Sequence, residues 1–120
     1  MKNRFRFRAW DKINNEMFKE VYLNDLHVGC KIGDGWITRS YKDVVLMQST
    51  GLFDCKNNLI FEKDIIDMEY DYTGYDGVSI HKNLKNYLVS DSFRIDCRER
   101  ENLKIKIKGN IYQNKELLGE

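Results

Sequence analysis

Hydrophobic and polar residues alternate one for one in three stretches of the chain, and a period of two marks half-buried β-strands. In residues 4–10, Phe5, Phe7 and Ala9 fall on one face and Arg4, Arg6, Arg8 and Trp10 on the other. In residues 65–71, Ile66, Met68 and Tyr70 oppose Ile65, Asp67, Glu69 and Asp71. In residues 103–108, Leu103, Ile105 and Ile107 oppose Lys104, Lys106 and Lys108. Each stretch predicts a strand with one core face and one charged face.

The intervening segments supply reversals and shorter strands. Polar residues 11–16 contain Asn14-Asn15, a turn pair because asparagine tolerates positive φ. Met17 and Phe18 then begin a returning strand, so an N-terminal hairpin is predicted. In residues 21–42, Gly29, Gly33 and Gly35 break any sustained period, and only Trp36-Ile37-Thr38 reads as a strand among loops. Residues 44–48 form a short apolar run, predicted as a strand buried on both faces. A polar turn at 54–58 leads to Leu59-Ile60-Phe61, and Thr73-Gly74-Tyr75-Asp76-Gly77 ends the strand that begins at Ile65. Residues 78–80 and 87–89 are short strands around polar residues 82–86, and residues 93–97 another. Gly109-Asn110 interrupts the last strand, Ile111-Tyr112 extends it, and Glu116-Leu117-Leu118 makes one helical turn before Gly119.

Many short strands between Gly, Asn and Asp clusters argue for a mainly β fold. The expected form is a small barrel-like or curled antiparallel sheet, with an N-terminal hairpin and at most short helices. At 120 residues with 42% hydrophobic content, the chain can build one core and reads as one domain over residues 1–120. There is no proline, so the reversals rest on Gly, Asn and Asp.

Composition narrows the function classes. The 20 basic and 19 acidic residues nearly cancel, which gives no general attraction to nucleic acid or an anionic membrane. Cys30, Cys55 and Cys97 are odd in number and widely spaced, so reduced thiols are expected rather than a disulfide framework. No apolar run resembles a signal peptide or approaches the length of a membrane span, so a cytoplasmic setting is expected. His27 and Cys30 form a lone H-x-x-C, while a closed zinc site needs four ligands. No local signature of a cysteine nucleophile or phosphate loop is present; residues 29–35 read as a plain glycine loop. The carboxylates Asp64, Asp67, Glu69 and Asp71 read as a turn cap and a solvated strand face. No enzyme activity, cofactor, metal or small-molecule substrate is therefore expected.

Two basic stripes remain, Arg4-Arg6-Arg8 and Lys104-Lys106-Lys108. On one side of a barrel they would attract phosphates, with Trp10 or Tyr112 available to stack on bases. The plainer reading is a solvated strand face guarded by charge. Like charges opposite one another destabilise a sheet, so the two stripes are not expected side by side. The acidic face of residues 65–71 is expected beside at least one of them, which leaves nucleic-acid binding weak. The two tryptophans, seven tyrosines and six phenylalanines exceed what this core must hide. A non-enzymatic protein-interaction module, open to self-association, is the first expectation; a weak nucleic-acid-binding small β-barrel is the alternative.

Three separated stretches carry a family likeness. They are Phe7-Arg8-Ala9-Trp10-Asp11; Leu46-Met47-Gln48-Ser49-Thr50-Gly51-Leu52-Phe53-Asp54 continuing to Leu59-Ile60-Phe61-Glu62-Lys63-Asp64-Ile65; and Gly109-Asn110-Ile111-Tyr112 with Asn114, Glu116, Leu117 and Leu118. In order and spread they resemble the YopX family of bacteriophage and prophage proteins. Ser49 stands where that family usually has an aromatic residue, Lys63 where it has glycine, Asn58 for the glycine of an Asn-Gly turn, and Lys115 for a proline. Residues 74–98 match little. The resemblance implies a largely β, barrel-like protein encoded by a phage or prophage, with no catalytic residues to carry over. Trp10, Asp11, Thr50, Gly51, Asp64, Gly109, Asn110 and Tyr112 are the shared positions. Strand and turn chemistry accounts for them: Gly51 for a sharp bend, Asp64 for backbone capping, Trp10 and Asp11 for closing the first strand.

Overall fold

The computed structural model describes residues 6–91, 93 and 100–119. Ten antiparallel strands dominate them: β1 (Phe7–Asp11), β2 (Glu16–Phe18), β3 (Val21–Leu23), β4 (Val28–Ile32), β5 (Gly35–Arg39), β6 (Val44–Phe53), β7 (Leu59–Phe61), β8 (Asp64–Thr73), β9 (Ser79–Leu88) and β10 (Arg100–Asn110). They pair in the orders β2-β1-β6-β7, β3-β4-β5 and β10-β8-β9. The result is the expected mainly β, strongly curled half-barrel. Among the described residues no helix is long and apolar enough to cross a membrane.

The alternating segments form strands where the pattern puts them, but the first is not half-buried. Arg8, Ala9, Trp10 and Asp11 are all buried. β1 is a central strand between β2 and β6, and its second face is covered as well. The expected basic outer face of this strand is thus overturned at Arg8; Arg4 and Phe5 lie outside the described residues. β6 runs five residues beyond Gln48, to Phe53. It does so through a register shift between Ser49 and Phe53, where Gly51 adopts φ +80°. The glycine therefore sits inside a bulge rather than after the strand.

Residues 21–42, read as mostly loop, form the whole β3-β4-β5 sheet. Glycines hide its alternation: Gly29 and Gly35 occupy strand positions where side chains would have marked the faces, and Gly33, at φ +55°, makes the turn between β4 and β5. The expected strands at 78–80 and 87–89 merge into one continuous strand, β9, which leaves out Val78 and Val89 and whose middle is polar because it is largely exposed to solvent. Phe93 is buried and lies in no strand, and 94–97 fall outside the described residues. Ile111-Tyr112 does not extend β10. Asn110 ends it by accepting N–H bonds from Tyr112 and Gln113, both at 3.0 Å. The final turn, Lys115–Leu118, ends at Gly119 with φ +87°, as expected.

Two apolar clusters hold the sheets together. Ala9, Phe18, Val28, Cys30 and Val44 pack between β1-β2-β6 and β3-β4-β5. Ile60, Ile66, Met68, Val89, Phe93 and Ile105 pack against β10-β8-β9. Each fully buried aliphatic side chain of this kind contributes about 1.5–3 kcal/mol.

Candidate functional site

Of the positions shared with the family, Asp64 meets Arg8 of β1, and Trp10 of β1 meets Tyr112. Arg8 Nη2 lies 2.8 Å from Asp64 Oδ1, and both side chains are nearly closed to solvent. The same guanidinium donates to the Glu62 carbonyl at 3.1 Å and sits 4.8 Å from the centre of the Phe61 ring. Asp64 Oδ2 accepts the Phe61 N–H at 2.8 Å. Burial pushes the Asp64 carboxyl above its usual range, against the opposing pull of Arg8. Beside this pair, Trp10 and Tyr112 stack with centroids 5.4 Å apart and planes 15° from parallel. On the other face of β1, Asp11 meets Arg39 Nε at 3.2 Å and caps the turn through the Ile13 N–H at 2.9 Å. Thr50 Oγ1 donates to the Ile60 carbonyl at 2.8 Å, across the bulge at Gly51. A side chain at Gly109 would collide with Asn114, whose Oδ1 accepts the Asn110 N–H at 3.1 Å. Every shared position has an architectural task.

Lys63 answers for its missing glycine with φ +71°, while its N–H donates to the Val89 carbonyl at 2.8 Å. In the 54–58 turn the positive φ falls at Asn57, not Asn58. Asp54 is the hub there, accepting from Lys56, Asn58 and Ile107. Burial opposes its ionisation, but those N–H donors prevail and hold its carboxyl below the usual range.

The lysine stripe meets the expected acidic partner. Lys104 pairs with Glu69 and Lys106 with Asp67 across β10 and β8. Lys104 Nζ is 3.9 Å from Glu69, and both Lys108 and Lys85 reach Asp67 at 3.7 Å. His81 of β9 sits between two carboxylates, 2.8 Å from Asp71 and 3.6 Å from Glu69. The Asp71 hydrogen bond chiefly raises the His81 pKa, and hydrogen bonds from Asn102 and His81 lower that of Asp71. Of the arginine stripe, only Arg6 stands exposed among the described residues. His27 and Cys30 turn to different partners, His27 Nε2 to Asn24 at 3.1 Å and the buried Cys30 thiol to the Val28 carbonyl. Cys30 and Cys55 are free thiols, and Cys97 lies outside the described residues.

A third surface was not anticipated. On the outer face of β3-β4-β5, Tyr22 is paired with Gly29 and Lys31 with Trp36. The Tyr22 ring covers the bare glycine so closely that a Cβ there would run into it. Trp36 packs on Tyr22 in edge geometry, centroids 5.2 Å apart at 65°. Both rings remain about half exposed, 47% and 50%. An aromatic residue opposite a strand glycine restores packing that the glycine lacks. The sequence does carry one trace of this sheet: Asn24 accepts the N–H groups of Leu26 and His27, an asparagine turn between two apolar triplets.

Among solved structures, the chain is similar to the crystal structure of protein EF1440 from Enterococcus faecalis, at 23% identity and a TM-score of 0.52. That likeness covers 94% of this chain and 96% of the other, and it concerns the fold. No curated protein matches. The profile of the family described as YopX protein matches residues 6–119, and the chain belongs to that family.

Proposed function

We propose that this YopX-family protein is a non-enzymatic protein-interaction module of a phage or prophage, acting in the bacterial cytoplasm. Its docking surface is the outer face of β3-β4-β5. The observation that carries this reading is the Tyr22–Trp36 pair, half exposed yet held in place by Gly29. Aromatic side chains that are already ordered lose little entropy on binding, and such residues dominate interface energetics. The partner is another protein or a second copy of the chain.

Weak nucleic-acid binding is the alternative. Against it stand Arg8, withdrawn into a buried ion pair, and Lys104 and Lys108, matched to carboxylates. Few phosphates can then be engaged, so affinity is expected to vanish at physiological salt.

Site-specific photocrosslinking tests the reading in bacterial cells. With Trp36→benzoylphenylalanine, discrete protein adducts are expected, and they should disappear on adding Tyr22→Ser. The same probe at Lys106, on the charged face, should give none. Adducts to nucleic acid alone, or equal adducts from both faces, would end the proposal.

A further inference from the structure

Two depressions share Lys19 and Glu20, and Tyr22 of the aromatic pair lines the first of them. The larger, about 490 Å³, lies between the start of β1 and the edge strand β3 and is lined by the apolar Phe7, Val21, Tyr22 and Leu23 together with Arg6 and Lys19. The second, about 400 Å³, is lined by Met17, Phe18, Lys31 and Gly33 besides those two. Arg6, Lys19 and Lys31 line this trough against one carboxylate, Glu20, which Lys31 holds at 3.1 Å, so two cations are left in excess. This local excess contrasts with a chain whose charges nearly cancel.

We infer that this trough binds an acidic, extended protein segment whose bulky apolar side chain inserts beside Tyr22. The inference rests on the protein-docking reading above and names the chemistry of the partner. Arg6 and Lys19 pair with carboxylates of the segment, while Phe7, Val21 and Leu23 take the apolar anchor. In an extended peptide, alternate side chains point to opposite sides, so charged and apolar positions can be sorted between the cations and the apolar lining. A single-stranded nucleic acid fits less well. Its unbroken line of phosphates would pass Glu20, and it carries no aliphatic group for the apolar lining. An ordered aromatic ring, unpaired cations and apolar side chains along one lining are the parts of a peptide groove.

Panning random displayed peptides of about a dozen residues against the folded full chain tests this. The selected sequences should be enriched in Asp and Glu interleaved with Leu, Phe or Trp. Lys19→Glu should weaken the best selected peptide about tenfold, and Glu20→Gln should tighten it a few-fold, as rim charges do. Circular dichroism of both variants must match the parent. Peptides that depend on Trp36 but carry no acidic bias would overturn the inference and leave the docking reading standing. Failure to enrich any consensus overturns the inference. Binding of oligo(dT) at physiological salt, lost with Lys19→Glu, would overturn both.

Discussion

The outer faces of β10-β8-β9 and β3-β4-β5 share one plan, three antiparallel strands with a curled inner side against an apolar cluster. They differ in how their side chains are satisfied. On β10-β8-β9 the charges meet partners within the chain: Lys104 with Glu69, Lys108 and Lys85 with Asp67, His81 with Asp71. On β3-β4-β5 two large aromatic rings meet each other and a glycine, and then water. A face whose charges are already matched offers a ligand little, because any new contact first has to break an old one. A face with ordered apolar area still in contact with water gains by covering it. The same architecture therefore yields one finished surface and one open surface.

The largest expected effect lies at the seam between them. Arg8→Met leaves Asp64 buried and unpaired, and should cost about 3–5 kcal/mol in urea unfolding. Arg8→Met combined with Asp64→Leu should recover most of that loss, because no orphaned charge remains. A small cost for the single change would show that the two faces do not depend on this pair.

Matched substitutions then set one face against the other. Gly29→Val should displace the Tyr22 ring and cost about 1–3 kcal/mol. Asn83→Val, on the exposed strand β9, should stay within about 0.5 kcal/mol. Equal costs by urea denaturation would mean that the aromatic face is no more tightly built than the charged one.

Lys63→Gly alters neither face. Relieving a lysine at φ +71° should raise stability by about 1 kcal/mol. In that background, Tyr22 and Trp36 variants report on binding with a margin against unfolding.

Salt separates the faces more finely. Lys104→Met should lower stability by at most about 1 kcal/mol at low salt and by nothing measurable at high salt, since both partners are largely exposed. Trp36→Ser should show no such salt dependence. Of the two outer faces, protonation acts on the charged one. Asp67 and Asp71 are held below the ordinary carboxylate value, so their contribution is present above that value and is lost as pH falls through their folded values. His81 is raised above 6.5, so its contribution is complete below that value and is lost as pH rises through the folded one. Amide protection in β8 and β9, taken relative to the intrinsic exchange rate at each pH, should be greatest between these limits, and His81→Asn should remove the alkaline limb while leaving β3-β4-β5 unchanged.

How much of this was legible follows from the range of each interaction. The alternation at 65–71 and 103–108 marked β8 and β10, and the rule against like charges side by side led to their pairing. Tyr22 and Trp36 were visible as residues, but Gly29 gives no alternation to read, so their shared face stayed hidden. Arg8 misled for a related reason. A charged residue at an alternating position looks solvent-facing until a distant carboxylate is brought to it.

By itself the sequence determined the local terms: the extension of the alternating segments, the asparagine and glycine turns, and charges that nearly cancel. These depend on backbone preference and on neighbours a few residues away. Tertiary structure alone decided that Arg8 meets Asp64 across 56 positions, that Trp10 stacks on Tyr112, and that Tyr22 covers Gly29 beside Trp36. Desolvation and ring packing depend on what the curl of the sheet brings overhead, and no period along the chain records that.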